Sequence, residues 1–255
     1  MSKKLDHAVS LYMEGIRDGH YVEAINQYTG NQYIQHSTGV KDGKEGFIAF
    51  FSDFVARNPV RDIEIIRKLE DGHYVFLQAY QNINHGASQW ITTDFFDTDQ
   101  EDRIIEHWDV ISAYEDAASI DGPTKMTDLD QTDANKALVR TFFKGVLLPG
   151  GDPQTLERYV SKDHYIQHNI TIEDGLETFQ ALLQNPHSPL QYKELVLLIG
   201  QGNFVATLSK VTSTEKSVAQ DYAQVDLFRI ENHLIVEHWD NREPVPEVSV
   251  NRGKF

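Results

Sequence analysis

The pattern of hydrophobic positions in the first half of the chain changes from a helical to a strand period. Apolar side chains first recur every three or four positions, which predicts helices with one buried face. The Phe-rich third helix ends before Asn58-Pro59, because proline disfavours the helical conformation in the residue that precedes it. The positions that carry the three helical patterns are Leu5, Ala8, Val9, Tyr12 and Ile16; Tyr21, Ala24, Ile25 and Tyr28; and Phe47, Phe50, Phe51 and Phe54.

The residues that follow favour strands, because β-branched and aromatic residues alternate with polar ones between Asp-Gly or acidic turns. The segments 74–77, 90–93 and 104–108 fit this description. Three helices followed by a meander of strands is an α+β order, in which the sheet folds over the helices and encloses one apolar pocket. We therefore expect function to lie inside that pocket.

Two short motifs occur twice, at separations of 132 and 131 residues. Tyr33-Ile34-Gln35-His36 recurs as Tyr165-Ile166-Gln167-His168, and Glu106-His107-Trp108-Asp109 recurs as Glu237-His238-Trp239-Asp240. Solenoid repeats run to roughly 20 to 50 residues, so a period this long indicates that each copy is a whole domain. The acidic segment 115–132 resembles a solvated linker, which predicts domains at 1–125 and 126–255.

Charge and composition narrow the functional classes. The chain of 255 residues has 39 acidic residues against 23 Lys plus Arg, a formal net charge of −16, and no cysteine. Disulfides, thiolate metal sites and cysteine nucleophiles are excluded, and the acidic surface disfavours nucleic acids and anionic membranes. The N-terminal residues lack the apolar core of a signal peptide and no run approaches a membrane span, so we expect a cytoplasmic protein.

The repeated motifs, together with the Asp-Gly turn and Phe-rich helix, resemble the SnoaL-like polyketide cyclases. More narrowly, they are similar to the SnoaL-like proteins predicted to catalyse aldol condensation, within the superfamily of nuclear transport factor 2 and ketosteroid isomerase. The resemblance covers residues 5–114 and 134–243. It implies two tandem cone-shaped α+β barrel domains, each a curved antiparallel sheet wrapped around helices. It also implies chemistry without metal or other cofactor, with an aspartate and a histidine as acid and base.

The last strand of each copy carries the strongest candidate chemistry. Alternate side chains of a strand share a face, so His107 and Asp109 point one way while Glu106 and Trp108 point the other. A carboxylate beside an imidazole in a dry cavity suits general acid–base catalysis. Strand parity does not decide which face lines the pocket. With the opposite orientation Trp108 forms an apolar wall, and Glu106 replaces Asp109 as the candidate acid.

Other candidates have a structural alternative. His36 and His168 either hydrogen-bond a substrate carbonyl or are buried histidines held by backbone carbonyls. Asp94 and Asp226 stand on apolar strands, where a buried carboxylate must be paired or protonated, so each is either a second acid or a structural acceptor. An iron or zinc triad of two histidines and a carboxylate is disfavoured, because its third ligand would have to come from the distant segment of His36.

The sequence thus predicts a catalytic set and a ligand-binding set, with no metal site and no cofactor. The two copies differ after the last motif, where Val110 in the first copy corresponds to Asn241 in the second. This difference leaves open whether both pockets are functional. The predicted catalytic residues are His36, Asp94, His107, Asp109, His168, Asp226, His238 and Asp240, and the predicted ligand-binding residues are Tyr33, Trp90, Trp108, Tyr165, Tyr222 and Trp239.

Two functions fit these features. One is a cofactor-independent lyase, isomerase or cyclase of the aldol type that acts on a small apolar carbonyl compound. The other is a non-catalytic protein of the same fold that binds a small molecule or a partner. In either case we expect a small-molecule ligand, no nucleic acid and no membrane, and a monomeric chain whose two domains pack as an internal pseudo-dimer.

Overall fold

The computed structural model describes residues 2–185, 190–214 and 218–255, and it divides into two compact units. Unit 1 consists of Met1–Tyr114 and Val245–Phe255, and unit 2 consists of Glu115–Pro244. The units therefore divide before the boundary expected near residue 125, and the C-terminal segment belongs to unit 1. The acidic linker packs on unit 2, where its Ala118 and Asp121 carbonyls accept hydrogen bonds from the His168 and Trp239 side chains.

Unit 1 follows the predicted order of helices and then strands. Helix α1 continues without a break into a π-helical segment, Leu11–Arg17. The sheet order is β1-β5-β4-β3-β2, in which β1 pairs in parallel with β5 and all other neighbours are antiparallel. The elements are α1 (Lys3–Ser10), α2 (Tyr21–Tyr28), β1 (Thr29–Gln35), α3 (Gly43–Arg57), β2 (Arg61–Asp71), β3 (Tyr74–Ile83), β4 (Ser88–Thr98) and β5 (Ile104–Ala113).

Unit 2 repeats this topology with the order β6-β10-β9-β8-β7, and again the first pair is parallel. Helix α4 also continues as a π-helical segment, Phe143–Leu147, and a 3₁₀ segment, Pro153–Arg158, replaces the second helix. The elements are α4 (Thr132–Phe142), β6 (Ile166–Gln167), α5 (Leu176–Gln184), β7 (Leu190–Gln201), β8 (Phe204–Ser213), β9 (Gln220–Glu231) and β10 (Leu234–Pro244).

The tandem α+β fold is confirmed, with two differences in the sheets. The first strand of each sheet runs parallel to its neighbour, so the sheets are mixed and not purely antiparallel. The outer strands of each sheet remain edges, so within the described residues neither sheet closes into a barrel. In the same part of the chain, no helix combines the length and the apolar character needed to cross a membrane.

One face of each sheet packs on the helices and forms the core of its unit. In unit 1, Val75, Leu77 and Ala79 alternate along β3 and are fully buried with Ile25 and Phe47 from the helices. This alternation and the helical spacing are the two periods seen in the sequence. The helix-facing side of the sheet is therefore the side on which a cavity can form.

The repeated Asp-Gly pair has a local structural reason. The Asp42 carboxylate accepts a hydrogen bond from the Gln35 backbone amide at 2.8 Å, and Asp174 binds the Gln167 amide in the same way at 2.7 Å. The next residue has a positive φ, +83° at Gly43 and +99° at Gly175, which favours glycine. The pair thus fixes the end of the first strand before the following helix begins.

We expect Asp42→Ala to weaken the end of β1, because it removes the acceptor of the Gln35 amide. Loss of a charge-assisted hydrogen bond costs about 1 to 3 kcal/mol, so the free energy of opening at the Gln35 amide should fall by that amount in hydrogen exchange. Asp53→Ala, on an exposed turn of α3, serves as the matched control. Unchanged protection of Gln35 would show that Asp42 does not hold this strand end.

Candidate functional site

A cavity of about 480 Å³ lies on the helix-facing side of the unit 1 sheet. Most of its wall is apolar and comes from the π-helical segment after α1 and from α3. Polar groups from β1, β4 and β5 converge at one part of the wall. The apolar residues of the wall include Leu11, Ile16, Phe47, Phe50, Phe51 and Phe54.

The structure settles the parity of β5. His107 and Asp109 line the cavity, together with Ile111 two positions further along the strand. Glu106 and Trp108 point to the opposite face of the sheet, as alternation requires. The orientation with His107 and Asp109 inside is therefore the one adopted, and Glu106 does not replace Asp109.

The His107 imidazole has a defined hydrogen-bonding pattern. Gln35 Oε1 accepts a hydrogen bond from the Ser37 backbone amide at 2.9 Å, which identifies this atom as the amide oxygen. His107 Nδ1 lies 2.9 Å from the same oxygen and must therefore carry a proton and donate it. The other nitrogen, His107 Nε2, lies 2.9 Å from Asp94 Oδ1, so a proton in this contact is shared by the imidazole and the carboxyl group.

Asp94 completes a polar chain that runs across the cavity wall. Tyr12 donates its hydroxyl proton to Asp94 Oδ2 at 3.1 Å, and Gln81 Nε2 donates to the Tyr12 oxygen at 3.1 Å. Burial raises the pKa of Asp94, although the hydrogen bond from His107 acts in the opposite direction. Burial and the nearby Asp94 charge also raise the pKa of Tyr12 well above its ordinary value, so Tyr12 remains a phenol.

The pKa of Asp109 is shifted in the opposite direction. Lys254, from the C-terminal segment, donates from Nζ to Asp109 Oδ1 at 2.9 Å and to the Asp109 carbonyl at 2.8 Å. Burial alone would raise the pKa of Asp109, but the Lys254 ammonium and the His107 imidazole outweigh it, and the pKa lies below its ordinary value. One wall of the cavity therefore carries two neighbouring carboxyl groups with opposite pKa shifts.

Asp94, His107 and Asp109 offer ligand atoms that all lie within 4.8 Å of one another, a spacing that suits a metal ion. Here His107 Nε2 and Asp94 Oδ1 bind each other, and the Lys254 ammonium already balances the charge of Asp109. The side chains thus fit a proton-transfer cluster better than a set of metal ligands.

Unit 2 has a cavity of about 470 Å³ with a related polar cluster. His238 Nδ1 donates to Gln167 Oε1 at 3.1 Å, and His238 Nε2 lies 3.0 Å from Asp226 Oδ1. The Tyr192 hydroxyl of β7 donates to Asp226 Oδ1 at 2.9 Å. It binds this aspartate as Tyr12 binds Asp94 in unit 1. The histidine–aspartate pair and its glutamine are therefore present twice.

The environment of Asp240 distinguishes the second cluster. Asp240 accepts hydrogen bonds from Asn169 Nδ2 at 2.8 and 3.1 Å and from Gln224 Nε2 at 3.3 Å. Its donors among the described residues are neutral amides, where Asp109 has an ammonium group. The two clusters thus share the histidine–aspartate pair. They differ in the charge of the donor that binds the second aspartate, Asp109 or Asp240.

His36 and His168 do not lie in the described cavity walls, contrary to the catalytic role predicted for them. Gln35 pairs with His107 and faces the cavity, so the next side chain, His36, points to the opposite face of the sheet. There its ring stacks on Trp108 and lies 2.8 Å from Glu106, while Nδ1 donates to the Gly253 carbonyl at 2.7 Å.

The same alternation along the strands places further predicted residues on the sheet face opposite the cavities. His168 stacks on Trp239, and its Nε2 lies 2.7 Å from Glu237 Oε1. Trp108 and Trp239, two of the three tryptophans predicted to bind ligand, are therefore buried on the other face. Tyr222 lies near the start of β9, where the Arg242 guanidinium lies 5.1 Å from the centre of its ring, outside the cavity wall described for unit 2.

Most other predicted residues lie at or beside the cavities. Tyr33 and Trp90 line the unit 1 cavity with Asp94, His107 and Asp109. His238 and Asp240 line the unit 2 cavity. Tyr165 is a core residue of unit 2, and Asp226 lies directly behind the wall, bound to His238, Tyr192 and Gln224.

Tyr12, Gln35 and Lys254 are among the site residues that the sequence reasoning missed. Tyr12 was assigned to an apolar helix face, although a tyrosine on a buried face needs a hydrogen-bond partner. Gln35 stands inside a repeated motif, and its recurrence as Gln167 was the available signal. Lys254 lies far from every motif in the sequence, and only the packing of the C-terminal segment on unit 1 brings it to Asp109.

Comparisons with known proteins give structural likeness only. No family model and no curated protein matches the chain. A putative polyketide cyclase from Bacillus cereus matches with 20% identity and a TM-score of 0.39, over 43% of this chain and 74% of its own. An epoxide hydrolase-like protein from M. tuberculosis gives 14% identity and a TM-score of 0.38, over 44% and 85% of the two chains. A putative ketosteroid isomerase from Kribbella flavida gives 16% and 0.37, over 46% and 83%.

The hydrogen bonds of His107 predict its tautomer. Nδ1 should carry a proton throughout, because Gln35 Oε1 can only accept, and this can be read from long-range ¹H–¹⁵N correlations of the imidazole. In Gln35→Leu the acceptor is lost, and the preference for the Nδ1 proton should disappear. His238 provides the matched case, because it lies against Gln167 Oε1 in the same geometry. A wild-type His107 with an unprotonated Nδ1 would contradict this assignment.

Proposed function

We propose that the chain is a cofactor-independent acid–base enzyme whose reaction takes place in the unit 1 cavity. The observation that carries the proposal is the pair of carboxyl groups in one cavity wall, Asp94 with a raised pKa and Asp109 with a lowered pKa. Environments that separate two pKa values assign one group to proton donation and the other to proton acceptance. Enolisation of a carbonyl compound needs both at once.

The geometry supports a reaction in which Asp109 accepts one proton from the substrate and the His107–Asp94 pair donates another to it. Asp109 takes a proton from the carbon next to the substrate carbonyl, and the electrons of that C–H bond form the enol double bond. The carbonyl oxygen receives the proton shared by His107 and Asp94, so the substrate becomes a neutral enol. Return of a proton to a different carbon gives isomerisation, whereas attack of the enol on a second carbonyl gives an aldol product.

The remaining wall supports a small, largely apolar substrate. Phenylalanine side chains from α3 cover one side of the cavity, and Trp90 lies at its edge. Tyr12 remains protonated and offers a hydroxyl to a carbonyl oxygen when it releases Asp94 or Thr92. We therefore propose lyase, isomerase or cyclase chemistry of the aldol type on a small carbonyl compound.

A non-catalytic ligand-binding protein is the second candidate. The observation that favours it is that the histidine, aspartate and glutamine of each cluster hydrogen-bond one another, and that they do so in both units. A buried hydrogen-bond network also shapes and rigidifies a binding cavity. Native mass spectrometry separates the candidates, because a bound small molecule that is released unchanged supports binding, and release as a product supports catalysis.

Substitution of Asp109 should slow turnover strongly. Asp109→Asn removes the proton acceptor, and removal of a general base lowers kcat by about a hundredfold to ten-thousandfold. The assay is a screen of β-dicarbonyl and polyketide-like compounds, followed by deuterium exchange at the carbon next to the carbonyl. Asp240→Asn is the matched control in unit 2, and it should leave exchange in unit 1 unchanged. Equal rates for wild type and a combined Asp109→Asn, Asp240→Asn variant would refute the role of these aspartates.

The pH dependence of the rate follows from the sign of the Asp109 shift. Asp109 must be ionised to accept a proton, so the rate should fall as the pH drops through its pKa. Because that pKa lies below its ordinary value, about 3.9 for aspartate, the acid limb should lie below about pH 4. An acid limb above that pH, absent in Asp109→Asn, would show that Asp109 is not held in its ionised form.

We also propose that the two sequence copies form an internal pseudo-dimer in a monomeric chain. The support is the repetition of a whole domain in one sequence, since related single domains would otherwise pair with a second chain. Light scattering should then give the 29.1 kDa mass of one chain. A mass near twice that value would contradict the monomer, and independently moving domains in solution X-ray scattering would contradict the pseudo-dimer.

A further inference from the structure

The C-terminal segment Ser249–Lys254 packs on the loop that follows β1. Asn251 Nδ2 donates to the Ser37 carbonyl at 2.6 Å and to the Val40 carbonyl at 2.8 Å. Ser37 and Val40 both line the unit 1 cavity. The segment therefore holds part of the cavity wall in place from behind.

Lys254 follows directly in this segment and reaches the cluster itself. Its side chain is 0% exposed, and Nζ binds both the carboxylate and the carbonyl of Asp109. The preceding carbonyl, Gly253 O, accepts the hydrogen bond of His36 Nδ1, which fixes the backbone next to the lysine. Burial of an ammonium group costs free energy unless an opposite charge compensates it. The buried position of Lys254 therefore depends on its ion pair with Asp109.

Lys254 dominates the electrostatic environment of Asp109. Among the charges that lower the pKa of Asp109, the Lys254 ammonium acts more strongly than the His107 imidazole on the same strand. Tyr12 and Tyr33 remain neutral, because burial raises the pKa of each hydroxyl. The titratable and charged groups that face Asp109 are His107 from β5, Asp94 from β4, Tyr12 from the first helix, Tyr33 from β1 and Lys254 from the C-terminal segment.

Unit 2 contains a natural comparison. His168 Nδ1 donates to the Ala118 carbonyl at 2.7 Å, as His36 does to Gly253. The residue after that carbonyl is Ser119, whose hydroxyl donates to the Asp116 carbonyl. The corresponding segment of unit 2 therefore docks on the same histidine but offers serine where unit 1 has lysine.

We propose that Lys254 is a positioning residue of the unit 1 site, and that this site is complete only when Ser249–Lys254 is docked on unit 1. The ammonium group fixes one oxygen of Asp109, holds the carboxylate ionised and thereby directs proton acceptance to Asp109. The inference rests on the proposed function as far as turnover is concerned. Its structural part, the protonation and orientation of Asp109, stands independently of any substrate.

The first test reads Asp109 directly. In protein labelled with ¹³C at the aspartate carboxyl carbon, the titration of Asp109 should move up by about one to three pH units in Lys254→Met, because an opposite charge at this distance lowers a carboxyl pKa by that amount. Lys254→Arg keeps the charge and should restore most of the shift. Lys162→Met, an exposed lysine of unit 2, is the matched control and should change nothing. An unchanged Asp109 titration in Lys254→Met would overturn the proposal.

The second test separates positioning from simple stabilisation. With a carbonyl substrate found in the screen, Lys254→Met should move the acid limb of the rate upward by the same interval and lower kcat more than it changes KM. Lys254→Arg should recover the limb. If wild type turns over no compound, the proposed function fails, while the carboxyl titration still decides the role of Lys254.

A third measurement covers the case in which Lys254→Met folds poorly. Asp109→Asn strands the buried ammonium and Lys254→Met strands the buried carboxylate, so each should lower Tm. The double variant carries neither charge and should recover stability relative to both single variants. Additive losses in the double variant would show that the two groups are not coupled, which would overturn the proposal.

Discussion

The pairing of β1 with β5 is the constraint on which the unit 1 site depends. This parallel pairing places Gln35 beside His107, and the amide oxygen of Gln35 then decides which imidazole nitrogen carries a proton. Once Nδ1 is a donor, Nε2 is the nitrogen that faces Asp94, at 2.9 Å from Oδ1. A shift of one residue in this register would exchange the faces of β1 and bring His36 toward the cavity in place of Gln35.

The sequence reasoning succeeded where it relied on repetition and alternation. The duplicated motifs identified two α+β units, and alternation on β5 correctly grouped His107 with Asp109 and Glu106 with Trp108. It did not decide which group faces inward, because both faces of this strand carry buried polar and apolar groups. The assignment of His36 to the cavity failed for the same reason, since the parity of β1 depends on its pairing with β5 and not on local sequence.

Residues that reach the site from distant parts of the chain were beyond sequence reasoning. Lys254 lies after the second copy, and no spacing rule relates it to Asp109. Tyr12 fits an apolar helical pattern, and the local sequence does not show that its hydroxyl binds Asp94 on a distant strand. By contrast, the Asp42–Gly43 turn was visible as a repeated pair, because its function is local and its backbone conformation requires glycine.

The position of Lys254 in the chain also affects when each unit can mature during synthesis. Domains emerge from the ribosome from the N-terminus onward and generally fold as units. The linker segment that docks on His168 is made before the strands of unit 2, so unit 2 is complete as soon as its own strands have emerged. Unit 1 receives Lys254 only after all of unit 2 has been translated. Until then Asp109 lacks its counter-ion, so the unit that is translated first is the last to acquire its finished electrostatics.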